Sequence, residues 1–161
     1  MSMIGHFERL SERRAKDLLA DPGGLKSLLE KQDPSVSSLD IDKAWHAIHF
    51  ALTGQAWPDE SSLAQAIFGG EPFGDDLGYG PPRLLVASKV RSVAEALAAI
   101  DPAEAVQGLD IGLLDDEEIY PGSWSNDEPA SRDYIAYHLQ RLRDFYNEAA
   151  ARNEAIVLRI S

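Results

Sequence analysis

Residues 39–54 read LDIDKAWHAIHFALTG, and how this stretch folds decides how the chain is organised. Trp45, Ile48, Phe50 and Leu52, with Ala44, Ala47 and Ala51, fall at helical spacing and cover most of a helix circumference. A helix of that kind has to be buried on nearly every side. It starts behind Asp40 or Asp42, residue types that cap helix N-termini, and it stops at Gly54, where the chain is free to turn. One line of polar groups interrupts the apolar surface. Asp42, His46, His49 and Thr53 follow one another at intervals of 4, 3 and 4 residues, which sets them in a row along the helix.

An outward face would carry Glu, Lys, Arg or Gln, which are better helix formers. Histidines beside an aspartate point instead to a groove or a polar interior, where each ring nitrogen has a chosen partner. Two readings stay open: a partly exposed face or structural hydrogen-bond network, and a ligand-binding or catalytic pocket. No metal is expected, because His46 and His49 stand three apart with no further histidine near them. No other cofactor is expected either.

Outward from this helix the elements follow in order. MIGHFERL suits an opening strand, and Ser11 caps a helix over 12–20. DPGG at 21–24 interrupts, a short helix over 25–31 follows, and DPSVSS is a turn. SSLAQAIFGG is a short helix ended by glycines. The glycine- and proline-rich stretch 69–82 is a shaped loop, leading to a strand at RLLVA, 83–87. Val90, Val93, Leu97 and Ile100 make an amphipathic helix from Ser88 to Ile100, and Asp101-Pro102 opens another. Residues 109–128 read as irregular. A long helix spans 129–153, and AIVLRIS closes the chain as a buried strand. Strands at both ends with helices between them imply a helix-rich α+β single domain over 1–161, with a small sheet joining the two termini.

Composition narrows the function. The chain has no cysteine, so disulfides and thiol chemistry are excluded. Neither a secretory signal in MSMIGHFERLSERR nor a membrane-length apolar run is visible, so the expected location is the cytoplasm. The net charge of −12 is unevenly placed: between Arg91 and Arg132 there is no Lys or Arg, yet the stretch holds ten of the 27 acids. A field of one sign repels phosphate backbones and anionic lipid and favours cationic partners. Nucleic acid and membrane are therefore not expected partners, and a basic protein is.

Two further stretches carry candidate chemistry. In GYGPPR (78–83) the glycines permit unusual backbone angles while the prolines stiffen the exit, holding Tyr79 and Arg83 in place. A guanidinium there pairs with a carboxylate or phosphate ligand, or with one of the chain's own acids. DDEEIYPGSW (115–124) sets Tyr120 and Trp124 behind Asp115, Asp116, Glu117 and Glu118. Those aromatics are either half-buried packing or anchors for a partner that the acids steer.

Together MIG at 3–5, LDIDKAWHAIHFALTG at 39–54, GYGPPR at 78–83, EIYPGSW at 118–124 and the long helix before a final strand resemble the bacterial YfbM-like family, a domain-of-unknown-function family. His49 falls on the family's motif histidine, His46 on a position the motif leaves open, and Pro82 where a small residue is the pattern. The resemblance implies an α+β fold and brings no activity, cofactor or catalytic residue.

The expected function is a non-enzymatic binding module whose acidic face, with Asp115, Asp116, Glu117, Glu118, Tyr120 and Trp124, engages a basic protein partner. The alternative is a small-molecule or hydrolytic pocket lined by Asp42, Trp45, His49, Tyr79 and Arg83, with His46 as a further ligand-binding candidate.

Overall fold

The computed structural model describes residues 2–161 and brings the two ends of the chain together. Along the sequence run β1 (Gly5–Ser11), α1 (Glu12–Ala20), α2 (Gly24–Glu30), β2 (Ser37–Asp40), α3 (Trp45–Thr53), α4 (Ser62–Phe68) and β3 (Glu71–Pro72). Then come β4 (Arg83–Leu85), α5 (Ala87–Ala98), α6 (Pro102–Gln107), α7 (Ile111–Asp116), α8 (Glu128–Ala151) and β5 (Glu154–Ile160). One antiparallel sheet holds all five strands in the order β2-β1-β5-β4-β3. Its centre is the pairing of β1 with β5, in register from Gly5 opposite Ile160 to Ser11 opposite Glu154. The small sheet joining the two termini is thus present, in a helix-rich α+β fold.

Side chains alternate across a strand, so the sheet has two faces. Phe7, Ile156 and Leu158 join the main core with Ile48 of α3, Val93 of α5 and Leu142 of α8. Leu10, Ala155 and Val157 look the other way, onto Leu18 of α1 and Leu25 of α2. Deep in the main core the fully buried Tyr146 donates its hydroxyl proton to the Ala66 carbonyl at 2.9 Å, tying α8 to α4.

Helix ends lie where local chemistry puts them. The Ser11 hydroxyl accepts the Arg14 N–H at 3.2 Å to start α1. Gly54, with φ 71°, closes α3 by returning its N–H to the Phe50 carbonyl at 2.8 Å. Asp127 caps α8 by accepting the Ala130 N–H at 3.0 Å.

Three expectations need correction. Residues 109–128 are not irregular: Asp110 caps α7 through the Leu113 N–H, and a 3-10 turn occupies Trp124–Asp127. A helix of six residues, with only Ile111 and Leu114 buried, is too short to display a period. Part of the expected turn at 33–38 is strand, because Ser37 and Ser38 borrow their order from the main chain of β1. The strand expected over 83–87 ends at Leu85, and α5 begins one residue early at Ala87.

Two glycines separate backbone strain from steric conflict. At Gly70, φ is +89° and an added Cβ would sit 2.7 Å from the Leu84 carbonyl carbon and oxygen. At Gly54, φ is +71° with no atom within 4 Å of that position. In urea unfolding, Gly54→Ala is expected to cost about 1 kcal/mol, the left-handed penalty alone. Gly70→Ala is expected to cost at least about 2 kcal/mol, because β4 must also shift. Equal costs would contradict the close approach of the chain at Gly70.

Candidate functional site

α3 presents Ala47, Ile48, Phe50 and Leu52 to the core, and both of its histidines are buried as well. The polar row identified in the sequence does not face one recess. Asp42 lies in a 3-10 turn (Asp42–Ala44) with φ 50°, and that tighter winding takes it out of step with the α-helix. Its carboxylate instead accepts the Tyr134 hydroxyl at 2.9 Å, on the side of α8. Burial, then this bond to Asp42, pushes the Tyr134 phenol above its ordinary range.

His49 is fully enclosed at 0% exposure, its ring 4.8 Å edge-on from Phe68. Burial holds its pKa below the usual value, against the pull of the Trp57 carbonyl. Thr53 turns its hydroxyl back onto the His49 carbonyl at 2.9 Å.

His46 is the member of the row that reaches a cavity. Its Nε2 lies 2.8 Å from the Ala56 carbonyl and its Nδ1 lies 2.9 Å from the Tyr120 N–H. A carbonyl only accepts and an N–H only donates, so these partners fix the ring as the neutral tautomer protonated on Nε2. Burial further lowers the pKa. One imidazole thereby joins the 54–57 turn to the 118–122 segment.

Between these two segments opens a cleft of about 980 Å³. Trp45 forms its back. The indole stacks on His46 (ring centroids 5.0 Å, 6° between planes) and on Tyr120 (5.7 Å, 21°), and meets Phe68 edge-on. Trp57 and Tyr79 line it as exposed rings, and Glu117 and Glu118 line it as exposed carboxylates. Among the described lining residues there is no Lys or Arg. Met3 is stitched to the same wall, donating its N–H to the Tyr120 hydroxyl at 2.9 Å and accepting the Trp45 Nε1–H at 3.0 Å.

The acidic wall has an unusual backbone. Glu118, Gly122 and Ser123 all have positive φ, at 54°, 85° and 61°. Left-handed non-glycine residues cost on the order of 1 kcal/mol each and persist where surroundings over-determine them. Asp115 does much of that work. Its carboxylate accepts the Trp124 N–H at 2.8 Å, the Ser125 N–H at 3.0 Å and the Ser125 hydroxyl at 2.6 Å. The Ser125 bonds first, then that of Trp124, keep its pKa below the usual carboxylate range.

The two sets of sequence candidates are thus rearranged. Trp45, His46 and Tyr79 from one set and Asp115, Glu117, Glu118 and Tyr120 from the other line a single cleft. Asp42 is bonded to Tyr134 on the side of α8, and His49 is enclosed behind Phe68 without lining the cleft. Arg83 is no anion clamp on this cleft, because it does not line it; its Nε donates to the Gly69 and Gly70 carbonyls at 3.3 and 3.1 Å. A pocket built jointly by Asp42, Trp45, His49, Tyr79 and Arg83 does not form. Trp124, 4% exposed with Nε1–H bonded to the Ile119 carbonyl at 2.9 Å, is core rather than interface. Asp116 is exposed beside the cleft without lining it. Sequence reasoning missed Trp57 and Phe68. A tryptophan inside the polar stretch GQAWPDES was the available signal for the first; for Phe68, which ends a short apolar helix, none stood out.

Comparison with known proteins places this geometry in a family. The model for a domain of unknown function, DUF1877, matches residues 1–159. Protein YfbM of Escherichia coli (strain K12) is 29% identical over 134 residues, covering 80% of this chain and 78% of that protein. The crystal structure of YfbM from Escherichia coli, described as a protein of unknown function, superposes with a TM-score of 0.78 at 25% identity. It covers 99% of this chain and 100% of that one.

Replacing His46 with Ala strands the Ala56 carbonyl and the Tyr120 N–H and leaves a void beside Trp45. The expected cost in urea unfolding is about 2–4 kcal/mol; a cost under about 0.5 kcal/mol would contradict the bridge. The pH dependence has a definite sign. His6, His46, His49 and His138 all have pKa values lowered from 6.5, burial being the first cause in each. The unfolded chain therefore binds more protons than the folded one. The stability these rings contribute is complete above about pH 6.5 and is lost as pH falls through their folded pKa values. His46→Ala is expected to show a shallower acid loss than the parent chain, and an unchanged slope would contradict the assignment.

Proposed function

The chain belongs to the DUF1877 family, and from its acid-rimmed cleft we propose a cytoplasmic, non-catalytic binding module whose acidic face engages a basic protein partner. One observation carries this reading. The wall formed by Glu117 and Glu118 comes from the stretch 92–131, which contains no Lys or Arg, and it faces exposed aromatic rings across a single cleft. Tryptophan and tyrosine are enriched among the few residues that dominate binding at protein interfaces, and surrounding charge of one sign sets encounter rate and partner choice. The same field disfavours phosphate backbones and anionic lipid surfaces. No helix among the described residues is long and apolar enough to cross a membrane.

The test compares wild type with the triple variant Asp116→Asn, Glu117→Gln, Glu118→Gln, each immobilised and exposed to cell lysate. Wild type is expected to retain a basic protein at about 50 mM salt and release it at about 0.5 M, where the Debye length shrinks to a few ångströms. The triple variant is expected to lose it at both. Retention of the same protein by the neutralised variant, or capture by neither at any salt, would overturn the reading.

A further inference from the structure

We propose that the cleft receives one arginine side chain of that partner, its guanidinium stacked on the Trp57 indole and paired with the carboxylates of Glu117 and Glu118. This rests on the acidic-face reading and names the group that the cleft recognises.

The first ground is Trp57 itself. It is 72% exposed, which leaves a large apolar ring in water with little intramolecular return. Yet it is not adrift. The carbonyl of the preceding residue, Ala56, is bonded to His46, and the His46 ring lies 5.6 Å from the indole. An exposed ring on an anchored backbone is preorganised for a contact that the isolated chain does not make.

The second ground is charge. The carboxylates of Glu117 and Glu118 have no hydrogen bond or ion pair with the described residues, in contrast to Asp115, whose oxygens are spent on Trp124 and Ser125. No described lining residue is Lys or Arg, and His46 is held neutral because both of its nitrogens are committed. Among the described residues the cleft therefore offers free negative charge and π faces, and no positive charge.

The third ground is shape chemistry. A cation facing aromatic rings is attracted by their quadrupoles, tryptophan being the strongest. Guanidinium is planar, weakly hydrated and able to fork onto carboxylates while stacked, whereas ammonium is a compact and strongly hydrated point charge. A volume of about 980 Å³ leaves room for residues on either side of the arginine, so an extended segment fits better than a lone ion.

The experiment uses the full chain and three acetylated, amidated Gly-Ser heptapeptides identical except for a central Arg, Lys or citrulline. Citrulline keeps the planar shape and removes the charge. Binding is followed through the Trp57 indole N–H resonance, assigned by its loss in Trp57→Ala. The arginine peptide is expected to shift that resonance saturably. It should bind at least about tenfold more tightly than the citrulline peptide and measurably more tightly than the lysine peptide. Glu117→Gln/Glu118→Gln is expected to remove most of that preference and its salt dependence. Equal binding of arginine and citrulline, or no saturable shift with arginine, overturns the proposal.

Trp57→Ala, whose side chain is exposed and so leaves the fold intact, separates the two levels in the lysate assay. If the partner is lost on neutralising the acids but kept by Trp57→Ala, the acidic face acts without an arginine in the cleft and only this inference fails. If both variants keep the partner, the acidic-face reading fails with it.

Discussion

Everything at the candidate site hangs on one imidazole bonded in two directions. His46 donates a hydrogen bond to the Ala56 carbonyl through Nε2–H and accepts one from the Tyr120 N–H at Nδ1. These are 10 and 74 residues away in sequence, and among the described residues this ring is the polar group that spans them. A lysine or glutamine at this place would offer the wrong complement of donors or lose the planar stack on Trp45. The histidine supplies one donor, one acceptor and a flat face at once. That combination requires the ring to be neutral, and burial ensures it.

The rest of the fold serves to hold α3 where this bridge forms. β1 and β5 pair at the centre of the sheet, and their shared face carries α3, α5 and α8. Met3, just ahead of β1, is hydrogen-bonded to both Trp45 and Tyr120, so β1 enters the sheet directly from the cleft wall. On the other wall, Asp115 fastens the chain between α7 and α8 and sustains three left-handed residues within six positions. Local strain of this kind is kept where surrounding contacts impose it. Here it leaves Glu117 and Glu118 projecting beside the aromatic rings.

Much of this was legible in the sequence, and the parts that were not share a cause. The apolar period of residues 45–53 announced a buried helix, and strands at both ends announced a sheet joining the termini. The acid-rich stretch and the α3 residues Trp45 and His46 were each singled out by composition and spacing. What a linear reading lacks is the contact between them, because the His46–Tyr120 bond depends on tertiary packing. One helical period does not hold along the whole row of Asp42, His46, His49 and Thr53. A 3-10 turn at its start broke the register and sent Asp42 to Tyr134. Guanidinium chemistry alone does not place Arg83, whose Nε is held by two glycine carbonyls from another segment of the chain. The edge strand β2 leaves little trace in the sequence because serines have little strand preference of their own and are ordered here by their partner.

The bridge is most directly tested by long-range proton–nitrogen correlation spectra of the histidine rings at neutral pH, with His46 assigned by substitution. The expected pattern is a protonated Nε2 and a bare, hydrogen-bonded Nδ1, persisting as pH is lowered through the ordinary midpoint of 6.5. An imidazolium at pH 7, or a ring protonated on Nδ1 alone, would contradict it.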